Sequence, residues 1–157
     1  MLITKTIEID TGHRVPNHKS KCRNIHGHRY KIEVGVDDEI IQIKGVSDEG
    51  MVMDFNDLKE VMIKNISEPL DHGFIIYEKD ILLKYFKKMI KTIGIKVVIT
   101  DFIPTAENLA KHLYHKIKRE LLKKGIRINH VKIWETPNST AEYNNIDYFY
   151  ENKKVKI

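Results

Sequence analysis

Cys22-Arg23-Asn24-Ile25-His26-Gly27-His28 runs straight into Arg29-Tyr30-Lys31-Ile32-Glu33-Val34-Gly35-Val36-Asp37. From His28 onward the residues alternate. Tyr30, Ile32, Val34 and Val36 share a face with His28, while Arg29, Lys31, Glu33 and Asp37 point away. This period of two predicts a half-buried strand. His26 and His28 are two apart, so on an extended chain both rings leave one face. Gly27 between them lets the backbone bend or another group approach closely. Upstream, Leu2–Asp10 alternates too, with Ile3, Ile7 and Ile9 on one side, and His13 keeps their parity. His13, His26 and His28 are therefore candidate ligands of one metal. Three imidazoles leave a fourth position open, the pattern of catalytic zinc. Cys22 is either a fourth ligand or a free thiol beside the metal. Lys19, Lys21 and Arg23 surround it in a polar loop, and positive neighbours favour the reactive thiolate.

The bulk composition narrows the class. The chain has 157 residues, 41% hydrophobic and 31% charged, which predicts one domain, 1–157, with a sizeable core. No long apolar run is present, so no membrane partner is expected, and the early alternation is unlike a signal peptide. The expected place is the cytoplasm. A single cysteine forms no internal disulfide. The net charge of +5 suits a phosphorylated small molecule or weak nucleic-acid contact, but the favoured reading is an ordinary lysine-rich surface. Lys153, Lys154 and Lys156 form the one small cluster.

Further along, Ile40–Val46 and Met51–Met53 predict a hairpin closed at Ser47-Asp48-Glu49-Gly50. Asp54 caps a predicted helix through Ile66, with Phe55, Leu58, Met62 and Ile66 on its apolar face and Pro69 as its stop. Leu70-Asp71-His72-Gly73 reads as a loop in which Asp71 can orient the His72 imidazole. Ile81–Ile93 predicts a second helix ended by Gly94, and Ile95–Ile99 is a short apolar run. Thr105 caps a third helix, with Glu107 in its first turn and Leu109, Leu113, Ile117 and Leu121 four apart. Arg127–Glu135 alternates as a strand that places Glu135 in line with Val131 and Ile133, where a carboxylate needs a partner. Ala141–Tyr150 predicts a last strand. His18, His112, His115 and His130 read as surface residues. The order predicts an α+β fold with an antiparallel sheet.

Six pieces in this order resemble the 6-pyruvoyltetrahydropterin synthase / 6-carboxytetrahydropterin synthase family. They are His13-Arg14, Cys22-x-x-x-His26-Gly27-His28, Val52-Met53-Asp54-Phe55 with Leu58-Lys59, Leu70-Asp71-His72, Pro104-Thr105-Ala106-Glu107-Asn108-Leu109-Ala110 and Trp134-Glu135-Thr136. The resemblance covers nearly the whole chain. It implies the tunnelling fold (T-fold), a four-stranded antiparallel sheet with helices on one face. Three subunits then close a β-barrel, and two trimers stack into a homohexamer. It implies zinc on His13, His26 and His28, Cys22 as general base rather than ligand, Asp71 and His72 as an acid–base pair, and Glu135 as the pterin anchor. Thr105 and Glu107 fall in a motif near the pterin pocket.

The short gap between Cys22 and His26 resembles the bacterial 6-carboxy branch. That branch implies 7,8-dihydroneopterin triphosphate as substrate and 6-carboxy-5,6,7,8-tetrahydropterin as product, with loss of acetaldehyde and triphosphate, on the route to 7-deazaguanines such as queuosine. Arg14, Lys19, Lys21, Arg23 and Arg29 are candidates for the triphosphate. The alternatives are the 6-pyruvoyl reaction and a zinc-stabilised binding module touching RNA, though no aromatic–basic nucleic-acid motif supports the module. Tyr77–Ile99 is longer than compact members of the family imply and suggests an extra helix at the barrel rim.

Overall fold

The computed structural model describes residues 1–144 of the chain. The part of the predicted Ala141–Tyr150 strand from residue 145 on lies outside the described residues, as does the terminal lysine cluster. β1 (Leu2–His13) and β2 (His26–Asp37) form the central antiparallel pair. Their register runs from Leu2 opposite Asp37 to His13 opposite His26. The alternation read from the sequence sets which face is buried. Tyr30, Ile32, Val34 and Val36 are each at most 2% exposed, and burial of such a side chain stabilises by about 1.5–3 kcal/mol relative to exposure.

After β2 the predicted hairpin does not form strands. Ile41 and Met51 approach each other through backbone hydrogen bonds, Ile41 N–H to Met51 C=O and Gly50 N–H to Ile41 C=O, but the segment stays a loop. Asp54 then caps α1 (Phe55–Met62), its side chain accepting from the Asn56 N–H. The helix does not stop at Pro69. It widens to a π-helical turn over Ile63–Ser67 and continues as α2 (Glu68–Leu70). Proline has no N–H to give the carbonyl four residues back, and the Lys116 ammonium donates to that Asn65 carbonyl at 2.9 Å instead. Of the predicted apolar face, Leu58, Met62 and Ile66 are buried and Phe55 is exposed.

β3 (Phe74–Tyr77), α3 (Leu83–Ile93), β4 (Val97–Thr100), α4 (Ala106–Lys123), β5 (Ile128–Thr136) and β6 (Ser139–Asn144) follow. The sheet order is β4-β3-β1-β2-β5-β6. Two expectations are corrected here. The sheet has six strands and is mixed. β1, β2, β5 and β6 are the antiparallel part, and β3 and β4 add to the β1 edge in parallel. Nor do the helices share one face. Ile75 packs into the main core with α1 and α4, while its neighbour Ile76 packs with Leu83 and Phe86 of α3. Consecutive strand residues point to opposite faces, so α3 covers the other side of the sheet. The long segment after the Asp71-His72 loop is thus a strand–helix–strand unit, its helix ending at Gly94 in the left-handed conformation (φ 67°).

His130 is not a surface residue. It is 7% exposed, with its ring Nε2 3.1 Å from Glu33 Oε1 and against the bare backbone of Gly35, where a Cβ would clash with the imidazole.

Candidate active site

Strand register brings the three histidines together. His13 lies directly opposite His26, and Thr11 opposite His28, so all three rings project from one face at the end of the β1–β2 ladder. Their ligand atoms lie within 4.8 Å of one another. Between them, Gly12 opposes Gly27, and a Cβ on Gly27 would sit 2.8 Å from the Thr11 carbonyl oxygen. The close approach foreseen at Gly27 is therefore between the two strands themselves.

The donor set suits a metal. His13 is 1% exposed, and its Nδ1–H donates to the Pro104 carbonyl at 2.6 Å. His26 Nδ1–H donates to the Asn24 carbonyl at 2.9 Å. Each bond fixes the tautomer that turns a bare Nε2 outward, as metal-binding imidazoles require. Burial pushes the pKa of His13 down, partly offset by the Pro104 carbonyl, and the charge of His26 pushes the same way as burial. Burial likewise lowers that of His28. Both rings are thereby held neutral, the form that ligates.

The cluster borders a cavity of about 220 Å³ whose lining includes His13, His18, Cys22, Thr105, Glu107 and Glu135. Cys22 lies on a single 3₁₀ turn, Lys21–Arg23, and its carbonyl accepts from the Val15 N–H at 2.9 Å, which folds the loop back on the end of β1. Glu135 also lines a second cleft, of about 510 Å³, with His28, Arg29, Lys31 and Trp134. One carboxylate therefore faces both openings. Its Oε1 accepts from the Tyr30 hydroxyl at 3.3 Å and lies 3.7 Å from His13 Nε2. Burial, then the Glu135 charge, pushes the Tyr30 phenol well above its usual range, so Tyr30 stays a donor. Thr105 caps α4 through its hydroxyl, which accepts from Asn108 N–H at 3.4 Å.

Asp71 and His72 do form a pair. His72 Nδ1 is 3.0 Å from Asp71 Oδ2. The Asp10 N–H, followed by His72, holds the Asp71 carboxyl below its usual range. His72 takes the left-handed conformation (φ 54°), which costs a residue with a Cβ about 1–2 kcal/mol. Its N–H to Asp10 C=O at 2.7 Å and the Lys96 ammonium on the Asp71 carbonyl hold the turn. Yet neither residue lines the cavity that contains Cys22, and the His72 side chain is 80% exposed.

Several participants were not singled out from sequence. In the sequence Tyr30 shows only the strand face it shares with His28, though a phenol in line with three aliphatic side chains has to find a partner. The Pro104 and Asn24 carbonyls carry no sequence signal. His18, read as surface, lines the cavity, as do Ser139 and Thr140 at the start of β6. Two of the proposed triphosphate cations are already engaged. Arg29 forms a two-point pair with Asp10 at 2.8 and 3.0 Å, and Arg14 is buried beside Asp80. Lys19, Lys21 and Arg23 remain exposed around Cys22.

An α+β fold that brings one histidine of a three-histidine cluster to the same cavity as a thiol and a carboxylate describes a candidate enzyme site for a small molecule. The family model for 6-pyruvoyl tetrahydropterin synthase matches residues 2–145, and the chain belongs to that enzyme family. It is 31% identical over 141 residues to the 6-carboxy-5,6,7,8-tetrahydropterin synthase of Haemophilus influenzae, covering 90% of this chain and 96% of that one. The Aquifex aeolicus protein of the same name is 34% identical over 161 residues, with the same coverages. Among solved structures, an uncharacterized protein from Wolinella succinogenes superposes with a TM-score of 0.77 at 25% identity, covering 92% of this chain and 98% of that one. The Caenorhabditis elegans 6-pyruvoyl tetrahydropterin synthase shares the fold at a TM-score of 0.62 and 24% identity, covering 92% and 95%. The architecture is that of T-fold proteins, here with a mixed six-stranded sheet.

Proposed function

We propose that this protein is a 6-carboxy-5,6,7,8-tetrahydropterin synthase, converting 7,8-dihydroneopterin triphosphate to 6-carboxytetrahydropterin with release of acetaldehyde and triphosphate. The observation that carries the reading is the meeting of His13, Cys22 and Glu135 at one cavity, in a chain whose named relatives of that activity match it over about nine-tenths of its length. His13, His26 and His28 would hold zinc. When bound, zinc supplies Lewis acidity toward the hydroxyls of the substrate side chain. Glu135 accepts two parallel N–H donors from the edge of the pterin, and Tyr30 holds that carboxylate in place. Cys22 removes a proton from the carbon next to the ring. Lys19, Lys21 and Arg23 attract the triphosphate, while Thr105 and Glu107 line the same cavity as Cys22.

His72, oriented by Asp71, moves the second proton. Because the pair does not line its own chain's cavity, we assign it to the cavity of a neighbouring copy in a homohexamer of two stacked trimers. The product would feed 7-deazaguanine (queuosine) synthesis in the cytoplasm. The test is incubation of the zinc-loaded protein with dihydroneopterin triphosphate and mass identification of the pterin formed. A pyruvoyl product would place the chain in the other branch, and no turnover would favour a binding role.

A further inference from the structure

The parallel ladder between β1 and β3 is short. It pairs Gly12 with Phe74 and His13 with Ile75, and there it ends. The chain beyond His13 leaves the sheet as the loop that carries Cys22, so the last ligand-bearing residue of β1 sits at a strand terminus. One residue further, Arg14 Nε lies 3.2 Å from Asp80 Oδ2. The Asp80 side chain is fully buried and that of Arg14 is 10% exposed. Neither of the two facing atoms has a well-directed hydrogen bond among the described residues, so the contact is a charge pairing in a dry setting. Asp80 is not free to drift. Its Oδ1 accepts from the Leu82 N–H at 2.8 Å, its carbonyl from the Leu83 N–H at 3.0 Å, and its own N–H donates to the Tyr77 carbonyl at 3.0 Å. It is the hinge between β3 and α3, locked from both sides.

We propose that Asp80 is a positioning residue for the metal-ligand end of β1. Through Arg14 it extends the β1–β3 junction past the last ladder pair, so the strand–helix–strand unit sets where His13 presents its ring. Its helix covers the face of the sheet opposite the main core, and the buried pair adds a side-chain link to the cluster beside the His13–Ile75 ladder pair. The same pairing occupies the Arg14 side chain and removes it from the cations available to a substrate phosphate. This inference rests on the metal reading of the three histidines.

The test is zinc affinity, measured by competition with a chelating indicator, beside the melting temperature, for wild type, Asp80→Asn and the double variant Arg14→Met/Asp80→Leu. Asp80→Asn leaves a buried guanidinium without its counter-charge and should be less stable. The double variant orphans no charge, and apolar replacement of a buried pair is commonly neutral or stabilising, so it keeps the fold measurable. If the pair positions His13, both variants bind zinc about tenfold more weakly than wild type, and the double variant does so with its melting temperature restored. If zinc affinity returns together with stability in the double variant, or is unchanged in both, the pair is structural only and the proposal is overturned. A wild type that binds no zinc would instead sink the metal reading itself.

Discussion

Glu135→Gln isolates the charge of the carboxylate at the centre of the site. The change keeps the shape and one acceptor oxygen, so the Tyr30 hydroxyl still has a partner for its 3.3 Å bond. What is lost is the anion that two N–H donors of a pterin would meet. A hydrogen bond to a charged group contributes about 1.5–3 kcal/mol. The Glu135 side chain is 29% exposed, and water reaching it from the cleft favours the lower half of that range. The expected result is a Kd for an unreactive pterin raised roughly 10- to 40-fold, at about 1.4 kcal/mol per decade. Isothermal titration reads the affinity, metal analysis reads zinc, and a thermal melt reads stability. Zinc content should hold, since His13 and His26 keep their carbonyl partners and Glu135 is not one of the three ligands. Unchanged pterin affinity with a lowered melting temperature would show that Glu135 serves His13 and Tyr30 rather than substrate.

Replacing His13, His26 or His28 with Ala should abolish stoichiometric zinc, because two imidazoles cannot make the open three-ligand site. Full occupancy in His26→Ala by metal analysis would remove that residue from the set. Cys22→Ala should keep zinc and fold while turnover drops about 100-fold or more, as for loss of a general base; loss of metal would make Cys22 a fourth ligand. In metal-free protein, the lowered pKa of His13 and of His28 sets the sign of a pH effect. The unfolded imidazoles take up protons near about pH 6.5, before the folded ones do. Stability is therefore undiminished above that pH, falls as pH drops below it, and stops falling once the folded values are passed. Urea midpoints from about pH 7.5 to about pH 5 check this, and a flat profile would mean the cluster is more hydrated than its burial implies.

The face of each central strand was legible because burial there follows period two. His28 and Tyr30 to Val36 announced it, and His13 needed only the parity of Ile7 and Ile9. The triad follows from that parity plus the pairing of β1 with β2. The cap residues Asp54 and Thr105 were legible for a local reason, since a side-chain acceptor before an apolar period has few other uses. What sequence did not reveal is long-range. The burial of His130 depends on Gly35 of another strand leaving room for its ring. The continuation of the helix through Pro69 depends on Lys116 of α4 reaching the freed carbonyl. The two-sided packing of the sheet depends on Ile75 and Ile76 each finding a different helix, and four apolar residues in a row carry no alternation to foretell it.

Where Asp71 and His72 act is a question of subunits, and it has a direct test. Within one chain they pair with each other and with Asp10 but stay outside the cavity of Cys22. If the proton-moving pair of one copy serves the cavity of the next, a site needs Cys22 from one chain and His72 from another. Cys22→Ala and His72→Ala would then each be inactive alone. Unfolded together and refolded as a mixture, they would regain activity, because about one site in four would draw both intact residues in a randomly mixed closed ring. A pair acting within its own chain gives a different outcome, since every chain then lacks one half of its own site and mixing restores nothing. Activity near a quarter of wild type in the mixture, absent when the two variants are refolded apart and then combined, supports the shared site. Persistent inactivity in a mixture shown by mass spectrometry to contain hybrid oligomers would return the pair to its own chain and require a local movement of the Asp71–Gly73 turn.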